Sequence, residues 1–175
     1  YTHLKNILRN LNVKKFGISK VHVWSHNDLL NSLDENDWLI KHNPKELESN
    51  LINSLFWESK KLHKELLFHN CSILLNVSAG TLCRFHPMVT ISRDMLSYEP
   101  KEIARFSFNL QKLRLIVLRY VQNASLINST AVIFLTKYAG ARIQQYTGKL
   151  QNVSYINHGL TEDFKSLKQK KFNPK

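Results

Sequence analysis

The sequence is poor in the residues on which small disulfide-bonded and fibrous proteins depend. Among 175 residues there are two cysteines, five glycines and four prolines. Two cysteines make neither a disulfide framework nor a cysteine-rich zinc site, and the low glycine and proline contents exclude collagen-like and low-complexity chains. No apolar run approaches the roughly 18 residues of a membrane-spanning helix. With 43% hydrophobic residues, the chain is typical of one globular domain that buries its own core.

Acidic residues are scarce relative to basic ones. There are 13 Asp and Glu against 25 Lys and Arg, a formal net charge of +12. Such a surface attracts phosphate, either in nucleic acid or in anionic lipid head groups. Nucleic acid is the less favoured partner, because no RNP-like aromatic pattern, recognition helix or zinc finger is present. Arg105, Lys112 and Arg119 recur every seven residues, and the exposed row they predict suits either solvent or an anionic membrane surface.

Short apolar runs alternate with segments of helical periodicity along the chain. The predicted helices are Thr2–Asn12, Pro44 to about Phe68, Lys101 to about Ile127, and Lys137–Tyr146, the last capped by Thr136 and ended by Gly148. The predicted strands are Ser19–Trp24, Cys71–Val77, Met88–Ile91, Ala131–Leu135 and Val153–Ile156. Residues 27–43 are acidic and are predicted to be irregular apart from one helical turn. This alternation predicts an α/β fold: a Rossmann-like parallel sheet with helices on both faces.

The second long helix has an apolar set at helical spacing, which predicts its inward face. That set is Ile103, Phe106, Leu110, Leu113, Val117, Tyr120, Val121 and Ala124.

In parallel sheets, ligands bind outside the carboxyl ends of the strands. Four loops are selected by this rule: Trp24–Asn27, Ser78–Phe85, Ser92–Tyr98 and Asn157–Thr161. Arg93 and Asp94 directly follow a predicted buried strand. Arginine supplies a fork of donors that suits phosphate or carboxylate, and aspartate accepts from sugar hydroxyls or acts as a base. The structural alternatives are an ion pair for Arg93 and a turn cap for Asp94.

Two further loops contain candidate cleft-lining residues. Ser78, Ala79, Gly80 and Thr81 end a strand with small side chains, which allow a ligand or another loop to approach the backbone; the alternative is a simple turn. Gly159 follows the last strand, where a positive φ would favour glycine. His158 beside it either contacts a phosphate or fills the turn.

No metal site is predicted. His22, His26, His63, His69 and His86 are scattered, and neither HExxH nor a His/Cys zinc spacing occurs. A GxSxG nucleophile elbow is also missing.

Three segments together resemble bacterial family 4 glycosyltransferases. Arg84–Leu96 (RFHPMVTISRDML) is similar to a family segment ending R-N/D-M-L-P-F-E, and it continues through Tyr98-Glu99-Pro100 into a long helix. Ala131–Ala139 (AVIFLTKYA) resembles the family's A-D-V-I-F-L-T/S-x-Y-A stretch. Ile156–Phe164 (INHGLTEDF) is similar to its I-x-N/H-G-V/I-x-x-x-F hinge. The resemblance spans about residues 57–164 in chain order, with one departure: many relatives have histidine where Arg93 stands.

The resemblance implies one half of a GT-B architecture, in which two Rossmann-like domains face a cleft. Residues 1–160 would form the acceptor-side domain, lacking its first strand, and residues 161–175 a basic linker toward a donor-binding domain. The implied reaction is retaining transfer of a sugar from a nucleotide-sugar donor to a glycan or lipid-linked acceptor. Neither a metal nor another cofactor is expected, because basic residues and helix N-termini of the second domain would stabilise the leaving diphosphate.

The resemblance further implies a catalytic-region role for Arg93 and Asp94, a cytoplasmic location with peripheral attachment to the inner membrane face, and no turnover by this domain alone. The alternative, left open by the sequence, is a non-catalytic Rossmann-like module that binds a phosphorylated ligand or nucleic acid.

Overall fold

A computed structural model describes residues 2–77, 80–100, 110–157 and 159 of the chain. The strands are β1 (Val21–Trp24), β2 (Leu39–His42), β3 (Leu74–Asn76), β4 (Met88–Ser92), β5 (Ala131–Phe134) and β6 (Val153–Tyr155). The helices are α1 (Thr2–Arg9), α2 (Asn27–Ser32), α3 (Leu51–Trp57), α4 (His63–Phe68), α5 (Leu110–Asn128) and α6 (Lys137–Thr147). The linker residues 161–175 lie outside the described ranges.

Four of the strands form one parallel sheet in the order β3-β4-β5-β6. Leu74 pairs with Met88, Val89 with Ala131, and Val132 with Val153. The sheet is buried at its centre, where Met88 and Phe134 have no exposed surface. The predicted α/β class with parallel strands is therefore confirmed, and the arrangement is consistent with a Rossmann-like fold.

The other two strands form a separate parallel sheet, which the sequence does not predict. Among the described strands, β1 pairs with β2 alone, with Val21 opposite Leu39. The prediction that residues 27–43 contain no strand is wrong. The sequence does not reveal β2, because this strand has only four residues and too little periodicity of its own. Pairing with β1, nearly twenty residues earlier in the chain, makes it a strand. Trp24 of β1 packs on a cluster shared with Trp57 and Phe85, which attaches this sheet to the following helices.

The helix predicted from Pro44 to Phe68 is broken into pieces. A 3₁₀ turn covers Lys45–Glu48, and α3 starts after Asn50, whose side chain accepts a hydrogen bond from the Asn53 N–H. Asparagine at this position satisfies a backbone donor of the first turn and so defines a new helix start. Glu58–Leu62 then has π-helical geometry and joins α3 to α4.

The predicted inward face of α5 is largely wrong. Leu113, Val117 and Tyr120 are 57%, 41% and 73% exposed, whereas Gln122 and Ser125 are buried. Leu115, Val121 and Leu126 are buried beside them, and the two polar side chains are accommodated by hydrogen bonds to other elements: Asn76 Nδ2 donates to Ser125 Oγ at 3.1 Å, and Ser97 donates to Gln122. Of the predicted set, Val121 is buried and Ala124 half-buried, and Ile103 and Phe106 fall outside the described ranges.

The predicted start and end of α6 are confirmed. The Thr136 hydroxyl oxygen accepts a hydrogen bond from the Ala139 N–H at 3.0 Å. Gly148 follows the helix with φ +75° and ψ −178°, a conformation that only glycine adopts readily. In the described part of the chain, the helices are too short or too polar to cross a bilayer.

Candidate functional site at the carboxyl edge of the parallel sheet

Parallel pairing brings three of the predicted loops to one edge. Because β3, β4 and β6 run in the same direction, the loops after them leave the same edge of the sheet. These loops include Gly80–Thr81, Arg93–Asp94 and Gly159. The loop Trp24–Asn27 leaves the other sheet. Ser78, Ala79 and His158 lie outside the described residues.

Arg93 is exposed directly after β4, at the edge where ligands of parallel sheets bind. Within the described ranges, no carboxylate forms an ion pair with its guanidinium. Asp94 has a local role: its Oδ1 accepts a hydrogen bond from the Leu96 N–H at 2.9 Å. This is the turn cap that the sequence left as the alternative. Arg93 is therefore presented to solvent by a turn that Asp94 shapes.

The turn that bears Arg93 is anchored on α5 and α6. The Ser97 hydroxyl donates to Gln122 Oε1, and the Tyr98 hydroxyl donates to Asn123 Oδ1 at 2.8 Å. Tyr98 has no exposed surface, and burial raises the pKa of its phenol, so that the group stays protonated as a donor. Tyr138 of α6 donates to Glu99 at 2.9 Å. The backbone around Arg93 is thus held on both sides.

The small residues of the first loop serve packing within the protein. A Cβ built on Gly80 would lie 3.0 Å from the Cα of Gln122, so the absent side chain lets the loop approach α5. Thr81 is buried, and its hydroxyl oxygen accepts from the Cys83 N–H at 3.2 Å. The close approach predicted for this loop is therefore present at Gly80, where the neighbouring group is the backbone of α5.

Glu58 also reaches this loop, although the sequence did not lead us to expect it there. Its carboxyl accepts hydrogen bonds from the Thr81 hydroxyl and the Leu82 N–H. Burial raises the carboxyl pKa, and these two hydrogen bonds only partly oppose the shift. Oε2 is inaccessible to solvent and has no hydrogen-bond partner among the described residues.

The sequence did contain a signal that Glu58 faces inward, because Glu58 lies three residues after Leu55 and four before Leu62, on the apolar stripe of the helix. Its π-helical segment is a geometry found often at functional sites.

Gly159 differs from the expectation of a left-handed turn. Its φ is outside the positive range that favours glycine, and none of the described residues has an atom within 4 Å of a Cβ built on it. Neither this backbone angle nor the described surroundings require glycine at this position.

Three histidines that the sequence shows as scattered lie together in the structure. His22, His42 and His69 have ring nitrogens within 4.8 Å of one another. They come from the β1–β2 sheet and the end of α4, and so form a second candidate site that shares no residue with the loops after β3, β4 and β6. Two spacings of 20 and 27 residues match no metal-binding motif, which is why the sequence does not predict the cluster.

Comparisons of the chain with protein-family models, with curated proteins and with solved structures give no match. The resemblance to glycosyltransferases therefore depends on its three motifs and on where they lie in the fold.

Proposed function

We propose that this chain is the acceptor-side domain of a retaining glycosyltransferase that uses a nucleotide-sugar donor. The observation that carries the proposal is the placement of the three family-like segments. The first two cover β4 and β5, and the third begins at Ile156, directly after β6; these strands are consecutive neighbours in one parallel sheet. Each segment continues beyond the carboxyl end of its strand, so that chain order, strand order and the common edge all agree with the resemblance.

Arg93 is the residue proposed to contact substrate. Its exposed guanidinium, without a carboxylate partner in the described residues, suits a phosphate of a lipid-linked acceptor or of the donor. Asp94 positions this arginine through its turn. Such a domain contributes to catalysis mainly through proximity, because holding the acceptor hydroxyl in place lowers the entropic part of the activation free energy.

The remaining partners follow from the same proposal. The donor would be held mainly by a second domain, and the acceptor would be a glycan or a lipid-linked glycan. A net charge of +12 favours peripheral attachment to an anionic membrane at the cytoplasmic face. No metal is needed in this scheme, since basic groups stabilise the leaving diphosphate.

A binding measurement with one matched control tests the proposal. The probe is a short-chain prenyl diphosphate-linked N-acetylglucosamine, titrated calorimetrically into the wild-type chain, Arg93→Ala and Arg84→Ala. Arg84 is also exposed, and it lies before β4 rather than directly after it. Hydrogen bonds to charged groups contribute about 1.5–3 kcal/mol, so R93A should weaken binding roughly tenfold or more, with R84A unchanged.

Two results would contradict the proposal. One is equal weakening by both arginine substitutions, which would indicate a diffuse effect of charge. The other is measurable sugar transfer by this chain alone. Steeply salt-dependent binding of random duplex DNA, with no binding of the glycolipid, would favour the non-catalytic phosphate-binding alternative.

A further inference from the structure

Three imidazoles converge from separate elements of the chain. His22 lies on β1, His42 on β2, and His69 directly follows α4. In the β1–β2 register, His22 pairs with Ile40 and Trp24 with His42, so the two strand histidines are diagonal neighbours on one face. Their ring centroids are 5.2 Å apart, and each lies 4.7 Å from the His69 ring.

One ring nitrogen of each histidine lies near the spacing of a metal site. His22 Nδ1 and His42 Nε2 are 2.9 Å apart, and the nitrogens of all three residues lie within 4.8 Å. Zinc–nitrogen bonds of about 2.0–2.1 Å in a tetrahedral site place ligand nitrogens about 3.4 Å apart. To reach this spacing, the close pair must separate by about 0.5 Å and the other nitrogens must approach by up to about 1.4 Å, shifts that rotation of the imidazole side chains can supply.

The surroundings hold the imidazoles in place. The Trp24 ring stacks on His42, with centroids 4.7 Å apart and planes at 12°. The Phe68 ring meets His69 edge-on at 5.0 Å. Glu65 Oε2 lies 3.8 Å from His69 Nε2, close to where an outer-shell carboxylate orients a metal-ligating histidine through its second nitrogen. Each histidine is only partly buried, which leaves one side of the cluster accessible.

We propose that His22, His42 and His69 bind one divalent transition-metal ion of the zinc class, with a fourth coordination position open to water. Three imidazoles with an open position form a common zinc ligand set. The ion would join the β1–β2 sheet to the segment that leads from α4 into β3. This site does not depend on the glycosyltransferase proposal, because none of its residues lies in the three family-like segments, which begin at residue 84.

Zinc titration with matched histidine variants tests the site. The metal-free chain is titrated with Zn²⁺ by calorimetry, and with Co²⁺ by visible absorption of its d–d bands. His42→Gln removes a proposed ligand, whereas His63→Gln removes a histidine of α4 that contacts Phe85 and lies outside the cluster. We expect one ion per chain, retained in H63Q. Affinity in H42Q should fall at least about 100-fold, beyond the 10–100-fold typical of outer-shell losses.

A second variant keeps the test valid if H42Q does not fold. Glu65→Gln leaves all three ligands in place and should weaken zinc binding roughly tenfold, with circular dichroism confirming the fold. Zinc at 100 times its dissociation constant should also raise the free energy of unfolding of the wild-type chain by about 2.7 kcal/mol. Equal zinc affinity in H42Q and H63Q would overturn the proposal. So would Co²⁺ spectra without tetrahedral d–d bands.

Discussion

Gly80 lies directly against Gln122 of α5. A Cβ on Gly80 would be 3.0 Å from the Gln122 Cα and 3.1 Å from its backbone nitrogen. Both neighbours are helix backbone, which cannot move aside as a flexible side chain would. Gly80 therefore sets how closely the loop after β3 packs on the helix that also anchors the Arg93 turn.

Replacing Gly80 by alanine should destabilise the protein through overpacking. We expect G80A to lower the free energy of unfolding by about 1–3 kcal/mol, measured by urea denaturation. Gly159→Ala is the matched control, because a Cβ added at that position would meet no atom of the described residues within 4 Å, and it should change stability by less than about 0.5 kcal/mol. Similar losses in both variants would show that the close approach at Gly80 has no energetic consequence.

The Glu58 carboxyl predicts a specific dependence of stability on pH. Burial raises its pKa above the ordinary value of 4.5, so the protein favours the neutral form. Its contribution to stability is complete below pH 4.5 and is lost as pH rises through the raised pKa. Glu58→Gln stays neutral and keeps an acceptor for Thr81. The stability of E58Q relative to wild type should therefore increase from pH 4.5 to pH 7, measured by urea denaturation at each pH.

Glu48 supplies a control, because its pKa is shifted in the direction opposite to that of Glu58. Its pKa is lowered, because its carboxylate accepts hydrogen bonds from the Asn27 N–H and the Asn43 amide. Its contribution is present above pH 4.5 and is lost as pH falls through the lowered pKa. The free energy of unfolding of E48Q relative to that of wild type should therefore decrease as pH rises from the lowered pKa of Glu48 toward 4.5. The same slope in E58Q and E48Q would contradict the assignment of a buried acid at position 58.

The hydrogen bond between Ser97 and Gln122 is buried, so breaking it should be costly. Ser97→Ala leaves the Gln122 Oε1 without this donor, and we expect a loss of about 1–3 kcal/mol in unfolding free energy. Ser49→Ala removes an exposed hydroxyl that donates to the Glu46 carbonyl at 2.7 Å, with an expected change within about 0.5 kcal/mol. Chemical denaturation of both variants measures the difference, and a loss in S49A as large as in S97A would refute it.

The Thr136 cap should stabilise α6 measurably. Thr136→Ala removes the acceptor for the Ala139 N–H and should cost about 0.5–2 kcal/mol, whereas Thr136→Ser retains the oxygen and should cost less. For a domain of this size, each kcal/mol lowers the melting temperature by about 2–4 °C. Thermal melts followed by circular dichroism compare the variants. Equal melting temperatures for T136A and T136S would exclude a capping contribution.

Features that depend on neighbouring residues in the chain were predictable. The apolar run of β5, the Thr136 cap and the Gly148 stop are all read from a few adjacent positions, and the structure has them where they were expected. The Arg93–Asp94 turn was likewise located by its position after a buried strand. Each of these depends on local backbone and side-chain chemistry.

Features that depend on distant partners were missed. The strand β2 exists through its pairing with β1, and the inward face of α5 includes Gln122 and Ser125, which form hydrogen bonds with residues of other elements. The spacing of apolar residues along the helix predicted that Leu113 and Tyr120 face inward, but both are exposed. Such spacing gives no indication that a polar side chain has a hydrogen-bond partner tens of residues away.

By itself, the amino-acid sequence determined the parallel α/β class, most strand positions, the ends of α6 and the strand-end loop that carries Arg93. Only the tertiary structure decided that the described strands form two sheets, that the Glu58 carboxyl is buried against the loop after β3, and that His22, His42 and His69 form a cluster. The physical reason is the range of the interactions. Periodicity and capping act within a few residues, whereas burial, a shifted pKa and convergence of ligands require elements far apart in the chain to pack together.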